Sequence, residues 1–219
     1  MKLEYFYDIT QGSDEWLKAR LGIVTASEMA SLITPTGKVA QNDDARGIVY
    51  QKVAERITRR AEEKIDNVHT RRGHLFEPFA RDLYSKRVAD VHECGFIRAD
   101  YKEFSIGYSP DGLVGEDGLV EIMCPNQVNH VKEICENSQP KTKIMQAQTG
   151  LMITGRKWCD YIGHFNGMRQ RIVRLYPDKE IHEKIMEAAL NLEECIKINL
   201  ERYYENSINM PKAKYERGL

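Results

Sequence analysis

The sequence predicts a mixed α/β fold, a central sheet flanked by helices. Three observations predict it. Apolar residues recur at helical spacing early in the chain, first at Val49, Val53 and Ile57, then at Phe76, Phe79, Ala80 and Leu83. Between about 95 and 124 the pattern changes to short β-rich runs separated by turn residues. Two further runs of that kind precede a long amphipathic segment that closes the chain. A chain of 219 residues suits one domain with a sizeable core, expected over 1–210, with 211–219 as a loose tail.

The elements follow in order. Thr25-Ala26-Ser27-Glu28 is a capping box, in which the Thr25 hydroxyl and the Glu28 carboxylate satisfy each other's backbone N–H groups. It predicts a helix from Ala26 to about Leu32, ended by Thr34-Pro35-Thr36-Gly37. After a polar loop, a helix is expected over 44–62 and another over 73–87, with Pro78 in its early part. Gly95-Phe96-Ile97, Ser105-Ile106-Gly107-Tyr108 and Leu119 to Cys124 are expected as a three-strand meander. Helices over 127–136 and 141–154, strands over 158–165 and 171–176, and a helix over 179–205 complete the expectation.

Composition narrows the class. A net charge of −1 does not advertise a non-specific nucleic-acid binder, but Arg56, Arg59, Arg60, Arg71 and Arg72 cluster, and a cleft can be locally positive in a neutral protein. Solvated helix faces are the plainer account of those arginines. No apolar run reaches the ~18 residues of a membrane helix, and the N-terminal residues lack a signal-peptide pattern. Five cysteines without a CxxC pair argue for reduced thiols in a cytoplasm, not for zinc or a disulfide framework. The six histidines show no metal spacing and are expected as surface or packing residues.

The chemistry centres on Ser109-Pro110-Asp111-Gly112 and Glu121-Ile122-Met123. Strand alternation puts Leu119, Glu121 and Met123 on one face, and Val120, Ile122 and Cys124 on the other, which suits the core. A hairpin through the turn at 115–118 would bring Asp111 beside Glu121. Convergent carboxylates in a cleft suit Mg²⁺ or Mn²⁺, hard cations held by one or two carboxylates plus substrate phosphate. The alternative is a turn aspartate and an edge-strand glutamate.

These motifs, with the run from Gln11 to Glu28, Gly73-x-x-x-Glu77, Glu121-Ile122-Met123-Cys124-Pro125 and Gln146-Ala147-Gln148, stand in one order over roughly 10–165. In that order they resemble the phage lambda exonuclease and YqaJ-type viral recombinase family of the PD-(D/E)XK nuclease superfamily. The resemblance implies a restriction-endonuclease-like fold and a 5′-to-3′ exonuclease on duplex DNA with two Mg²⁺ ions per site. It implies that Asp111, Glu121, the Ile122 carbonyl and Glu77 hold metal. Gln148 would stand near the attacked phosphate, and Arg20, Ser27 and Thr25 at the 5′ phosphate. A homotrimeric ring around DNA and a single-strand annealing partner are implied as well. Trp16 is expected to pack the N-terminal helix. An endonuclease with the same metal site, or a non-cleaving DNA-end clamp, are the alternatives.

One position departs from the family pattern. Where the resemblance calls for a catalytic lysine, the chain has Met123, whose thioether carries neither charge nor a donor. Loss of that group would slow turnover by ~10²- to 10⁴-fold. Three accounts stand: a substitution that silences the enzyme, a basic side chain brought from elsewhere with Lys141 and Lys143 as candidates, or a relative that binds without cleaving. The first is preferred, so metal and DNA binding with slow digestion is the expectation.

Overall fold

The computed structural model of the chain describes residues 1–62 and 68–214, with the side chains at 68–71 and 74 outside that description. The expectations for Arg71, His69 and His74 therefore fall outside the described side chains, and the end of the tail, 215–219, falls outside the described residues.

The expected mixed α/β class holds, with the strands divided between two four-stranded sheets. The first, in the order β1-β3-β4-β2, joins Lys2–Phe6, Phe96–Asp100, Ser105–Tyr108 and Val24–Thr25. The second, β5-β6-β7-β8, joins Gly112–Val114, Gly118–Met123, Trp158–Gly163 and Arg171–Leu175. The meander is thus corrected. β4 does not pair with β6, because a short strand at 112–114, unmarked in the sequence, forms the hairpin with β6. On its other side β6 pairs with β7 in parallel. β6 is therefore an interior strand buried on both faces, not an edge.

Helices cover both sheets: α1 (Asp14–Ala19), α2 (Met29–Leu32), α3 (Asp43–Thr58), α4 (Val68–Arg87), α5 (Gln127–Cys135), α6 (Lys141–Thr154) and α7 (Lys179–Ser207). The capping box forms, but it opens a 3₁₀ turn over Ala26–Glu28 before the single turn of α2. α3 stops at Thr58, four residues short of expectation, where Arg59 takes a left-handed conformation and its N–H donates to the Glu55 carbonyl. α4 begins five residues early and keeps Pro78 inside it. Its buried stripe is Ala80 and Tyr84 with Phe76 beside them, while Phe79, expected there, is exposed.

The larger core spans both sheets, with Ile97, Ile106 and Tyr108 from the first and Leu113, Leu119 and Cys159 from the second. The other face of β6 packs Val120, Ile122 and Cys124 against Ala80 and Tyr84 of α4. The Tyr84 hydroxyl donates to Asp160 Oδ2 of β7 at 2.6 Å, and Arg174 of β8 grips the same buried carboxylate at 2.8 Å with both nitrogens. A buried charge held this completely fixes α4 on the second sheet.

Candidate active site

Asp111 lies where β4 of the first sheet hands the chain to β5 of the second. Its N–H donates to the Val120 carbonyl at 3.2 Å, and its Oδ2 accepts from the Ile122 N–H at 2.6 Å. The carboxylate is thereby pinned at the level of Glu121 on β6. Gly112 keeps this approach close: a Cβ there would meet Val91 Cγ1 at 2.0 Å. That glycine is required by packing, not by a turn.

Glu121 is fully buried under α6. Lys143 and Gln146, three apart and so on one helix face, both reach it. Lys143 Nζ donates to Glu121 Oε2 at 3.0 Å and stands 3.8 Å from Asp111 Oδ2. Gln146 Nε2 donates to Glu121 Oε1 at 3.2 Å. Glu77 approaches from α4, and its Oε1 accepts from Arg81 at 2.7 Å while Arg81 Nε donates to the Asp111 carbonyl at 2.8 Å. Lys143, Asp111 and Glu77 line a cleft of about 440 Å³ with Arg72, Asn126 and Met123, so Met123 and Lys143 share it.

Burial pushes Glu121 up to about 7; Lys143 opposes the rise and Asp111 adds to it. Burial and then repulsion from Asp111 likewise push Glu77 up to about 7, against the pull of Arg81 and Lys143. Burial acts to lower Lys143, but Glu121 and Asp111 outweigh it and raise the ammonium above its ordinary value. The Tyr108 hydroxyl is buried beside Glu121 without a well-formed hydrogen bond.

This donor set fits a hard divalent cation. Among the described residues, no three His, Cys, Asp or Glu side chains group closely enough to hold an ion alone. A cage suited to zinc or calcium is not what this is. Two carboxylates, with Glu77 behind them and one ammonium among them, suit Mg²⁺, which keeps several waters and needs one or two carboxylates plus substrate oxygens.

Gln148 is not with them. On a helix, positions 146 and 148 point to opposite sides. Gln148 Nε2 donates to the Tyr176 carbonyl at 2.8 Å, and its Oε1 accepts from the Asp178 N–H at 2.9 Å. It ties α6 to the start of α7, and Gln146 is the glutamine that faces the carboxylates.

A second cluster joins the N-terminal candidates. The Arg20 guanidinium lies 4.0 Å over the Trp16 ring and donates to Thr25 Oγ1 at 3.3 Å, which is 3.2 Å from the exposed Ser27 hydroxyl. Trp16 is half-buried, and its Nε1 donates to Ser109 Oγ at 2.8 Å, two residues before Asp111. The cluster and the carboxylates therefore share one support. Sequence reasoning missed Lys52, a fully buried lysine 2.9 Å from Glu28 and 3.5 Å from Glu55. Burial pushes Glu28 up, yet Lys52 and the Thr25 hydrogen bonds hold it below the usual carboxylate range. Lysine inside a helical apolar pattern gives no sign of this role.

Arg56 forks onto Glu193 of α7 at 2.8 and 2.6 Å, so it fastens α3 to α7 instead of presenting a cation. His130 and His164 are buried packing residues, and His182 stands 3.0 Å from Gln148 Oε1.

The solved structures similar to this chain include the alkaline exonuclease LHK-Exo from Laribacter hongkongensis, at 28% identity. LHK-Exo in complex with dAMP matches at 29% identity. Each match covers 91% of this chain and 100% of LHK-Exo, with a TM-score of 0.79. A phage-related exonuclease from Haemophilus somnus 129PT shares the fold, at 14% identity and a TM-score of 0.61 over 83% of this chain and 96% of that one. No curated protein matches the sequence. The fold is thus of the alkaline exonuclease type. Residues 15–157 match the YqaJ-like viral recombinase domain, and the chain belongs to that family.

Proposed function

We propose that this chain is a Mg²⁺-dependent exonuclease, with Mn²⁺ able to substitute, that degrades duplex DNA from 5′ ends and leaves a 3′ single strand. The observation that carries the reading is the convergence of Asp111 and Glu121 on Lys143 at 3.8 and 3.0 Å. Likeness to alkaline exonucleases supports the reaction class. Asp111, Glu121 and the Ile122 carbonyl would hold the cation pair, with Glu77 steadied by Arg81 behind it. Bound there, the cations supply a polarised water and offset charge on the leaving oxygen. The chain's own groups hold the strand: Arg20, Thr25 and Ser27 for the terminal phosphate, Gln146 and Arg72 along the cleft. The anion preference rests on the Arg20 fork and the hydroxyls, because the helix behind Ser27 is a single turn.

Exposed Val128, Val131 and Ile134 on one face of α5 are the apolar surface that a trimeric ring would cover. A single-strand annealing partner and residence in a host cytoplasm belong to the same reading. The test is digestion of linear duplex with 5′-phosphate or 5′-hydroxyl ends. The phosphorylated end should be preferred, with the preference lost in Arg20→Ala; equal rates on both ends with the native chain would contradict the role of this cluster.

Met123 favours a second reading, a DNA-end clamp without turnover. Lys143 weighs against that reading, since an ammonium stands in the same cleft.

A further inference from the structure

We propose that Lys143 supplies, from helix α6, the active-site ammonium that position 123 of β6 lacks. The inference rests on the nuclease reading above. Its first support is geometric. Among the described residues, Lys143 Nζ is the one lysine nitrogen placed against both candidate metal carboxylates, at 3.0 Å from Glu121 Oε2 and 3.8 Å from Asp111 Oδ2. Lys141, the other candidate, is exposed at the start of the helix.

The second support is the relation to Met123. Alternation puts residue 123 on the face of Glu121, and both Met123 and Lys143 line one cleft. A lysine at 123 would bring a second ammonium into that space, where like charges repel. Methionine at 123 and lysine at 143 are thus complementary: an unbranched apolar side chain keeps the volume while the charge comes from the facing helix.

In the reaction, a water oxygen attacks phosphorus and the P–O3′ bond breaks. The attacking water loses its proton to solvent, and the 3′ oxygen gains one from solvent. Lys143 stays protonated throughout. It donates hydrogen bonds that orient the water and offset charge at the phosphate.

Four proteins test this: the native chain, Lys143→Met, Met123→Lys and the double variant. Each is assayed for digestion of 5′-phosphorylated duplex with Mg²⁺, for duplex-end binding with Ca²⁺, and for Mn²⁺ binding by calorimetry. Lys143→Met should lower the digestion rate by ~10²- to 10⁴-fold, with end binding and Mn²⁺ binding retained. Met123→Lys alone should give no gain. The double variant should recover at least about tenfold over Lys143→Met. Should Lys143→Met fail to fold, Lys143→Gln takes its place with the same expected drop. Undiminished digestion by the Lys143 variant overturns the proposal. So does an inert native chain switched on by Met123→Lys alone, which would leave the nuclease reading standing. Digestion by none of the four overturns both.

Discussion

At Lys52 the chain buries an ammonium completely between Glu28 and Glu55. Removing it strands two carboxylates away from water, so Lys52→Met should lose about 3–5 kcal/mol of stability in denaturant unfolding. Because Glu28 also accepts from the Thr25 N–H and hydroxyl at 2.8 Å, the variant should lose preference for a 5′-phosphorylated end as well. At the candidate metal carboxylates the expectation is harsher. Asp111→Asn and Glu121→Gln should each weaken Mn²⁺ binding and digestion by more than about 100-fold, beyond the usual cost of losing an outer partner. Wild-type Mn²⁺ affinity in either variant would remove these residues from the site. Alternation made Asp111 and Glu121 legible as a pair, and it put Met123 beside them. It had no means of choosing between Gln146 and Gln148, since the choice depends on which helix face lies over β6.

At the scale of elements, local signals were strong for helices and weak for pairing. α6 was expected over its observed range, Lys141–Thr154, and its bounding residues, Pro140 and the left-handed Gly155, are local signals. The strand at Gly112–Val114 is three residues long and acquires meaning only from its partner Val120 and from Val91. Likewise the Lys2–Phe6 strand exists through pairing with Phe96–Asp100, far along the chain. Non-local pairing is also why one expected sheet became two. Gly112→Ala tests the link between element and site. Its Cβ must displace Val91 or β5, costing about 1–3 kcal/mol, and should slow digestion by moving Asp111. A lowered melting temperature with unchanged rate would show that the site tolerates a shift of β5.

For the whole molecule, the buried Glu121 and the half-buried Glu77 set a pH dependence. Glu77 and Glu121, both pushed up to about 7 from an ordinary value of 4.5, bind more protons in the folded state than in the unfolded chain. Their contribution to stability is full below 4.5 and is lost as pH rises through about 7. Divalent cations bind the deprotonated form, so added Mg²⁺ should raise the melting temperature more at about pH 8 than at about pH 6. A larger Mg²⁺ effect at the lower pH would contradict the assignment. Assembly belongs to this scale too. Light scattering should find three copies of the chain together, and Val131→Glu on the exposed face of α5 should release monomers. The near-neutral net charge is compatible with a DNA enzyme, because only the DNA-facing surface of a ring needs to be positive.

The most direct test of the account sets linear and covalently closed circular duplex DNA side by side with the native chain and Mg²⁺. The account predicts that the linear DNA is degraded to mononucleotides from its 5′ ends, that the circle survives, and that chelation stops the reaction. Cutting of the circle at a comparable rate, or survival of both DNAs with every divalent cation, would contradict it.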